Sequence, residues 1–139
     1  MTDSATYFEI QQFYARQMQS LDGGSAKEFA GTFTTDSSFV HHPHNRVDGR
    51  DAIAEATERG VERTRLAGLV RRHWFGLPLI EESADGTLLV RYSAVTTVTA
   101  ADGTVTHEPT CMVEDILVRQ DGRLLNHVRT VRRDDLKDR

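Results

Sequence analysis

Six histidines and one cysteine are the side chains of this 139-residue sequence best able to move a proton, hold a metal or act as a nucleophile. Three histidines crowd into His41-His42-Pro43-His44. Imidazole is the commonest metal ligand, so the tract has the composition of a metal site. Its geometry argues otherwise: a strand would point His41 and His42 to opposite faces, and Pro43 turns the chain before His44. No metal is expected. Cys111 is alone, which excludes an internal disulfide and a thiolate zinc cluster. It has no base beside it in sequence, and no Gly-x-Ser-x-Gly elbow is present, so a hydrolase is disfavoured. His73 lies within Leu69-Val70-Arg71-Arg72-His73-Trp74-Phe75-Gly76. Two-residue alternation puts it on one face with Arg71 and Phe75, and Arg72 and Trp74 on the other. Such a histidine is either a satisfied structural residue or an acid–base group. Asp22, before Gly23-Gly24, is either a turn former or a carboxylate free to orient a partner.

The elements that would carry these residues follow from periodicity. Phe8, Ile10, Phe13, Tyr14, Met18 and Leu21 recur near the helical period, and Asp22-Gly23-Gly24-Ser25 ends that helix. Ser25 with Glu28 reads as a capping box opening a short helix through Phe29 and Phe33. Asp36 to His42 reads as a strand closed by Pro43, Asn45 to Gly49 as a turn, and Arg50 onward as a third helix with Ile53 and Val61 inward. After Leu69 the period becomes two. Strands are expected over 70–80, 87–100, 104–119 and 124–131, joined by turns at Asp85-Gly86, Asp102-Gly103 and Asp121-Gly122. In the third of these, Cys111, Val113 and Asp115 share one face and Met112, Glu114 and Ile116 the other; alternation alone leaves open which faces inward. Segregated helices and antiparallel strands mean α+β, a curved sheet cupping three helices around an apolar pocket. The length fits a single domain, 1–139, with a polar tail from about 132 to 139.

Composition narrows the partners. The net charge is −4 and no basic block exceeds two residues, so nucleic acid is not expected. No apolar run approaches the ~20 residues of a membrane span, and the first residues are acidic and polar, so a cytoplasmic protein without membrane association is expected. Lys27 and Lys137 are the only lysines, which leaves few candidates for a Schiff base. No phosphate-binding glycine loop or dinucleotide motif occurs, and no cofactor is expected.

Three strings, Leu21-Asp22-Gly23-Gly24-Ser25-Ala26-Lys27-Glu28-Phe29, Val47-Asp48-Gly49-Arg50-Asp51-Ala52-Ile53 and Arg72-His73-Trp74-Phe75-Gly76, resemble the nuclear-transport-factor-2-like superfamily. The third is similar to the strand presenting the catalytic histidine in scytalone dehydratase and its SnoaL-like relatives, which include polyketide cyclases. The resemblance implies a cone-shaped barrel and puts His73 on the general acid/base and Asp22 on the aspartate that orients it. It puts His41 where the dehydratase has a cavity tyrosine, and Tyr14, Phe39, Phe75, Cys111 and Val113 in the substrate-binding wall. It departs from the dehydratase where a second histidine would fall, near Thr97 to Thr99, and where Leu21, Cys111 and Val113 replace a tyrosine, a serine and an asparagine. The dehydratase's own substrate is therefore not expected.

The resemblance implies a cofactor-independent lyase or isomerase, a dehydratase or cyclase, acting on a small hydrophobic, polyketide-like or ring-ketone substrate. The alternative is a non-catalytic binding protein or accessory subunit of the same fold. His73, Phe75 and His41 should face the interior. The outer sheet face, expected to carry Trp74 and residues such as Val90 and Tyr92 or their neighbours, should form a homodimer sheet to sheet.

Overall fold

The structure, a computed structural model, describes residues 2–136. Helix α1 (Ser4–Asp22) opens on Asp3, whose side chain accepts from the Thr6 N–H, and buries Ile10, Phe13, Tyr14 and Gln17. Phe8 is 65% exposed. It lies two residues from Ile10, about 200° round the helix, and so falls off the stripe expected to include it. The short α2 (Ala26–Ala30) starts at Ser25, whose hydroxyl accepts from the Glu28 N–H. The box is half formed, because the Ser25 N–H is already bound to the Ser20 carbonyl.

Phe33, expected at the end of that helix, begins β1 (Phe33–His42). Gly31 ends the helix early, and the chain turns into the sheet. The expected turn at 45–49 is largely a strand, β2 (Asn45–Asp48), whose hairpin with β1 pairs His41 with Asn45 and Ser38 with Asp48. Helix α3 (Arg50–Leu66) follows, then β3 (Val70–Glu82) and β4 (Leu88–Thr99). The strand expected over 104–119 divides into β5 (Val105–His107) and β6 (Cys111–Gln120), since Pro109 has no N–H for the ladder. The β6–β7 turn has positive φ at both Asp121 and Gly122, the conformation an Asp-Gly hairpin needs. β7 (Arg123–Arg133) ends the sheet, with Arg132 and Arg133, expected in a polar tail, paired with Met112 and Cys111. The rest of that tail, from residue 137, lies outside the described residues.

The sheet runs β2-β1-β7-β6-β4-β3, with β5 added to β4. Its pairings are antiparallel apart from β1 with β7, which run parallel. The result is an α+β cone: helices lie on a strongly curved, unclosed sheet. Its concave face buries Leu88, Val90, Tyr92, Val113 and Leu117 against Ile10, Phe13 and Tyr14 of α1. Val90 and Tyr92 are therefore core residues, not members of the outer face; β4 alternation turns Leu89, Arg91 and Ser93 outward instead. A second cluster, Phe29, Ala30, Phe33 and Ile53, joins α2 and α3 to β1. No helix among the described residues is long and apolar enough to cross a membrane.

Candidate active site

The uncovered part of the concave face bounds a cavity with two lobes. The larger, about 680 Å³, lies between the end of α1, α3 and the start of β3. The smaller, about 310 Å³, runs along β3, β4, β6 and β7. Both are walled by Leu21, Phe29, Phe39, His41, Arg71 and His73, so these side chains mark where the lobes meet.

Asp22 and His73 meet there. Asp22 is the last residue of α1, and the glycines after it let the chain turn at once. Its Oδ1 lies 2.6 Å from His73 Nδ1, and the two carboxylate oxygens also accept from the His73 backbone N–H at 3.3 and 3.2 Å. One carboxylate thus grips both the ring and the main chain of the same residue. The Asp22 side chain is only 8% exposed and that of His73 is 29% exposed. A carboxylate accepts only, so Nδ1 carries the hydrogen and the neutral ring keeps its lone pair on Nε2.

His41 lines both lobes, stacked on Phe39 with ring centroids 4.8 Å apart. Burial, with the positive charges of Arg129 and Arg133, holds its pKa below that of an ordinary histidine. Neither His42 nor His44 reaches the cavity walls. Phe39 lines both lobes, and Phe75, Cys111 and Val113 line the smaller one. Burial, aided by Asp134, raises the Cys111 thiol above its ordinary pKa, so Cys111 is a wall residue and a poor nucleophile.

Tyr14, expected in the wall, stands behind it. Its hydroxyl donates to Asp115 Oδ2 at 2.7 Å, and its ring packs edge-on against Phe75 and Tyr92. The inner face of β6 is therefore the one carrying Asp115, and this carboxylate accepts four hydrogen bonds. Tyr92 donates to Oδ2 at 3.0 Å, and Arg129 donates through Nε to Oδ1 and through Nη2 to Oδ2, each at 2.9 Å. Arg129 Nη2 also donates to Gln17 Oε1 at 2.5 Å. Burial and the Asp115 charge push the Tyr14 phenol well above its usual range. Burial raises Tyr92 as well, against the opposing charge of Arg129. Burial works against the Arg129 charge, but Asp115 and the two tyrosines outweigh it and hold the guanidinium protonated. From the sequence Tyr92 is expected on the outer sheet face, and neither Gln17 nor Arg129 is assigned a role. The one available signal was Asp115, a carboxylate alternating with Cys111 and Val113, which on an inner face requires a partner.

Residues 2–130 match the SnoaL-like domain. The chain belongs to the SnoaL-like domain family. Its fold and much of its sequence agree with Aln2 from a Streptomyces species: TM-score 0.91 and 39% identity over 97% of this chain and 95% of that one. ActVI-ORFA from Streptomyces coelicolor gives TM-score 0.89 and 32% identity over 96% of this chain and 98% of that one. A protein from Catenulispora acidiphila, solved in complex with S-DNPA, gives TM-score 0.86 and 38% identity over 96% of each chain. The fold alone is shared with a putative scytalone dehydratase from Novosphingobium aromaticivorans, at TM-score 0.78 and 19% identity over 97% of this chain and 88% of that one. No curated protein matches the chain.

Proposed function

We propose that this SnoaL-like protein is a cofactor-independent lyase or isomerase, a dehydratase or cyclase, acting on a small hydrophobic ketone of polyketide-like or fused-ring type. The reading rests on the 2.6 Å contact between His73 Nδ1 and Asp22 at the junction of two apolar lobes. A carboxylate on Nδ1 fixes the tautomer and the orientation of the ring, leaving Nε2 free to accept a proton. That nitrogen then takes a proton from a carbon beside a carbonyl near neutral pH and returns it elsewhere. Delivery to a β-hydroxyl releases water; delivery to another carbon isomerises the ring. His41, kept neutral, serves as a second polar group at the same junction. The relative solved in complex with S-DNPA supports a ligand-binding cavity in this fold.

The test is a kinetic comparison on a panel of β-hydroxy and fused-ring ketones. His73→Ala should slow turnover by roughly 10²–10⁴-fold, the contribution of a positioned acid–base group. Asp22→Asn keeps the shape but offers an amide N–H to Nδ1, favouring the wrong tautomer, so its loss should also be large. The double variant should be no worse than His73→Ala, because the pair acts as one unit. Full turnover by His73→Ala on a ketone that the wild type converts would sink the mechanism. A wild type that converts no ketone, yet binds them through Phe39 and Phe75, would make this a binding protein.

A further inference from the structure

The buried cluster behind the smaller lobe has one unused donor. Arg129 is 3% exposed, yet it lines that lobe. Asp115 occupies the edge formed by Nε and Nη2, and Gln17 takes the second hydrogen of Nη2. Among the described residues Nη1 has no hydrogen-bond partner, and it retains some accessible surface. Its direction is fixed. The guanidinium carbon sits over the rings of Phe33 and Phe39, at 5.5 and 5.6 Å from their centroids, and Asp115 locks rotation in the plane. The apolar part of the lobe's wall includes Phe39, Phe75, Ala94, Val113 and Val131. The other two arginines on this lobe are ion-paired, Arg71 with Glu108 and Arg133 with Asp135, and Arg71 Nε has no hydrogen-bond partner among the described residues.

We infer that Arg129 is the group that holds the substrate's carbonyl oxygen, through the Nη1 amino group that Asp115 and Gln17 leave free. With its bidentate edge already used, the guanidinium offers the ligand one nitrogen. That suits a single acceptor oxygen, a ketone or the enolate it becomes, better than a carboxylate, which prefers the two-pronged edge. A ligand without that oxygen leaves a buried donor unmet, which is costly. The chemical step rests on the reading of His73 as base; the binding does not. Nε2 removes a proton from the carbon beside the carbonyl. The C–H electron pair becomes a C=C bond, and the C=O π pair moves onto the oxygen beside Nη1. The positive charge stabilises the enolate in a site of low polarity. The oxygen pair then re-forms the C=O, the C=C pair becomes a Cα=Cβ bond as the β C–O bond breaks, and the hydroxyl leaves as water with the proton from Nε2; alternatively the C=C pair takes that proton at another carbon of the conjugated system. Asp115, Tyr14, Tyr92 and Gln17 are positioning residues for Arg129.

The test uses 2-naphthol, whose naphtholate mimics a ring enolate, with naphthalene as the control that fills the apolar walls only. Wild type should lower the pKa of bound 2-naphthol by about a unit or more, a ten-fold preference for the naphtholate. Arg129→Lys keeps a positive charge for Asp115 but cannot supply a third nitrogen. It should lose most of that shift while binding naphthalene as before. A bound pKa unshifted in wild type, or a shift retained by Arg129→Lys, overturns the inference, as does 2-naphthol binding no better than naphthalene. Should Arg129→Lys fail to fold, wild type labelled with ¹⁵N-arginine decides: the Arg129 Nη1 resonance must move with 2-naphthol and not with naphthalene. His73→Ala separates the two readings, because it should keep the naphthol shift. Loss of the shift in that variant would assign the effect to His73 and overturn the role of Arg129. A retained shift with full ketone turnover would sink the base and leave the oxygen site standing.

Discussion

Burial and the charges of Arg129 and Arg133 disfavour protonation of His41, and this has a consequence for stability. In the unfolded chain the ring gains its proton near pH 6.5; in the folded chain it does so at lower pH. Between those values the unfolded state binds more protons, so stability is lost as pH falls through about 6.5 and below. Urea midpoints measured from pH 7.5 to 5 should fall, and His41→Asn should flatten part of that fall; an identical slope in the variant would contradict it. Tyr14 makes a second residue-scale case. Its hydroxyl serves a buried carboxylate, so Tyr14→Phe should lower stability by about 1–3 kcal/mol in urea unfolding while leaving the cavity walls in place. The raised pKa of Cys111 predicts slow alkylation: at pH 8 iodoacetamide should label it more slowly than a free cysteine-containing peptide, because less of it is thiolate.

Among the elements, the end of α1 matters most to the site. The Gly23 N–H bonds the Gln19 carbonyl, the Ser25 N–H bonds the Ser20 carbonyl, and Gly24 takes a φ of 83°. A side chain at Gly24 would meet only Val61 at ordinary contact distance, so the cost of Gly24→Ala is backbone strain, about 1–2 kcal/mol. The same strain would loosen Asp22, and turnover should drop more than ligand binding does; equal losses in both would argue against this link. The helix, the glycine stop and the three Asp-Gly turns were legible because periodicity and turn chemistry are local. Asp22 and His73 could be paired only through family resemblance, since fifty residues separate them and the sheet's curvature brings them together. The Arg129 cluster was harder still. Tyr92 and Arg129 look like ordinary strand residues until the register sets Tyr92 opposite Val113, and Asp115 opposite Arg129. The parallel pairing of β1 with β7 depends on the curvature of the whole sheet, which no short window reports.

For the whole molecule, the outer sheet face poses the question of assembly. Trp74 is 58% exposed, Leu79 58% and Met112 45%. Exposed apolar side chains on a sheet face suit an interface, and we propose a second copy of the chain, sheet to sheet, as the occupant. Sedimentation at micromolar concentration should give a dimer, and Trp74→Arg should shift it toward monomer. A wild type that sediments as a monomer would refute the assembly and leave the cavity untouched.

The grip of Asp22 on the His73 N–H has one more effect. β3 is the last strand of the sheet, so its far side is an open edge able to recruit another strand. The His73 amide that Asp22 accepts is one of the donors such a strand would use. The carboxylate therefore guards the sheet against growth: Asp22→Ala should raise the rate of aggregation on gentle heating, and Asp22→Asn, whose carbonyl oxygen still accepts, should raise it less. Loss of activity and loss of solubility would then come apart at a single residue.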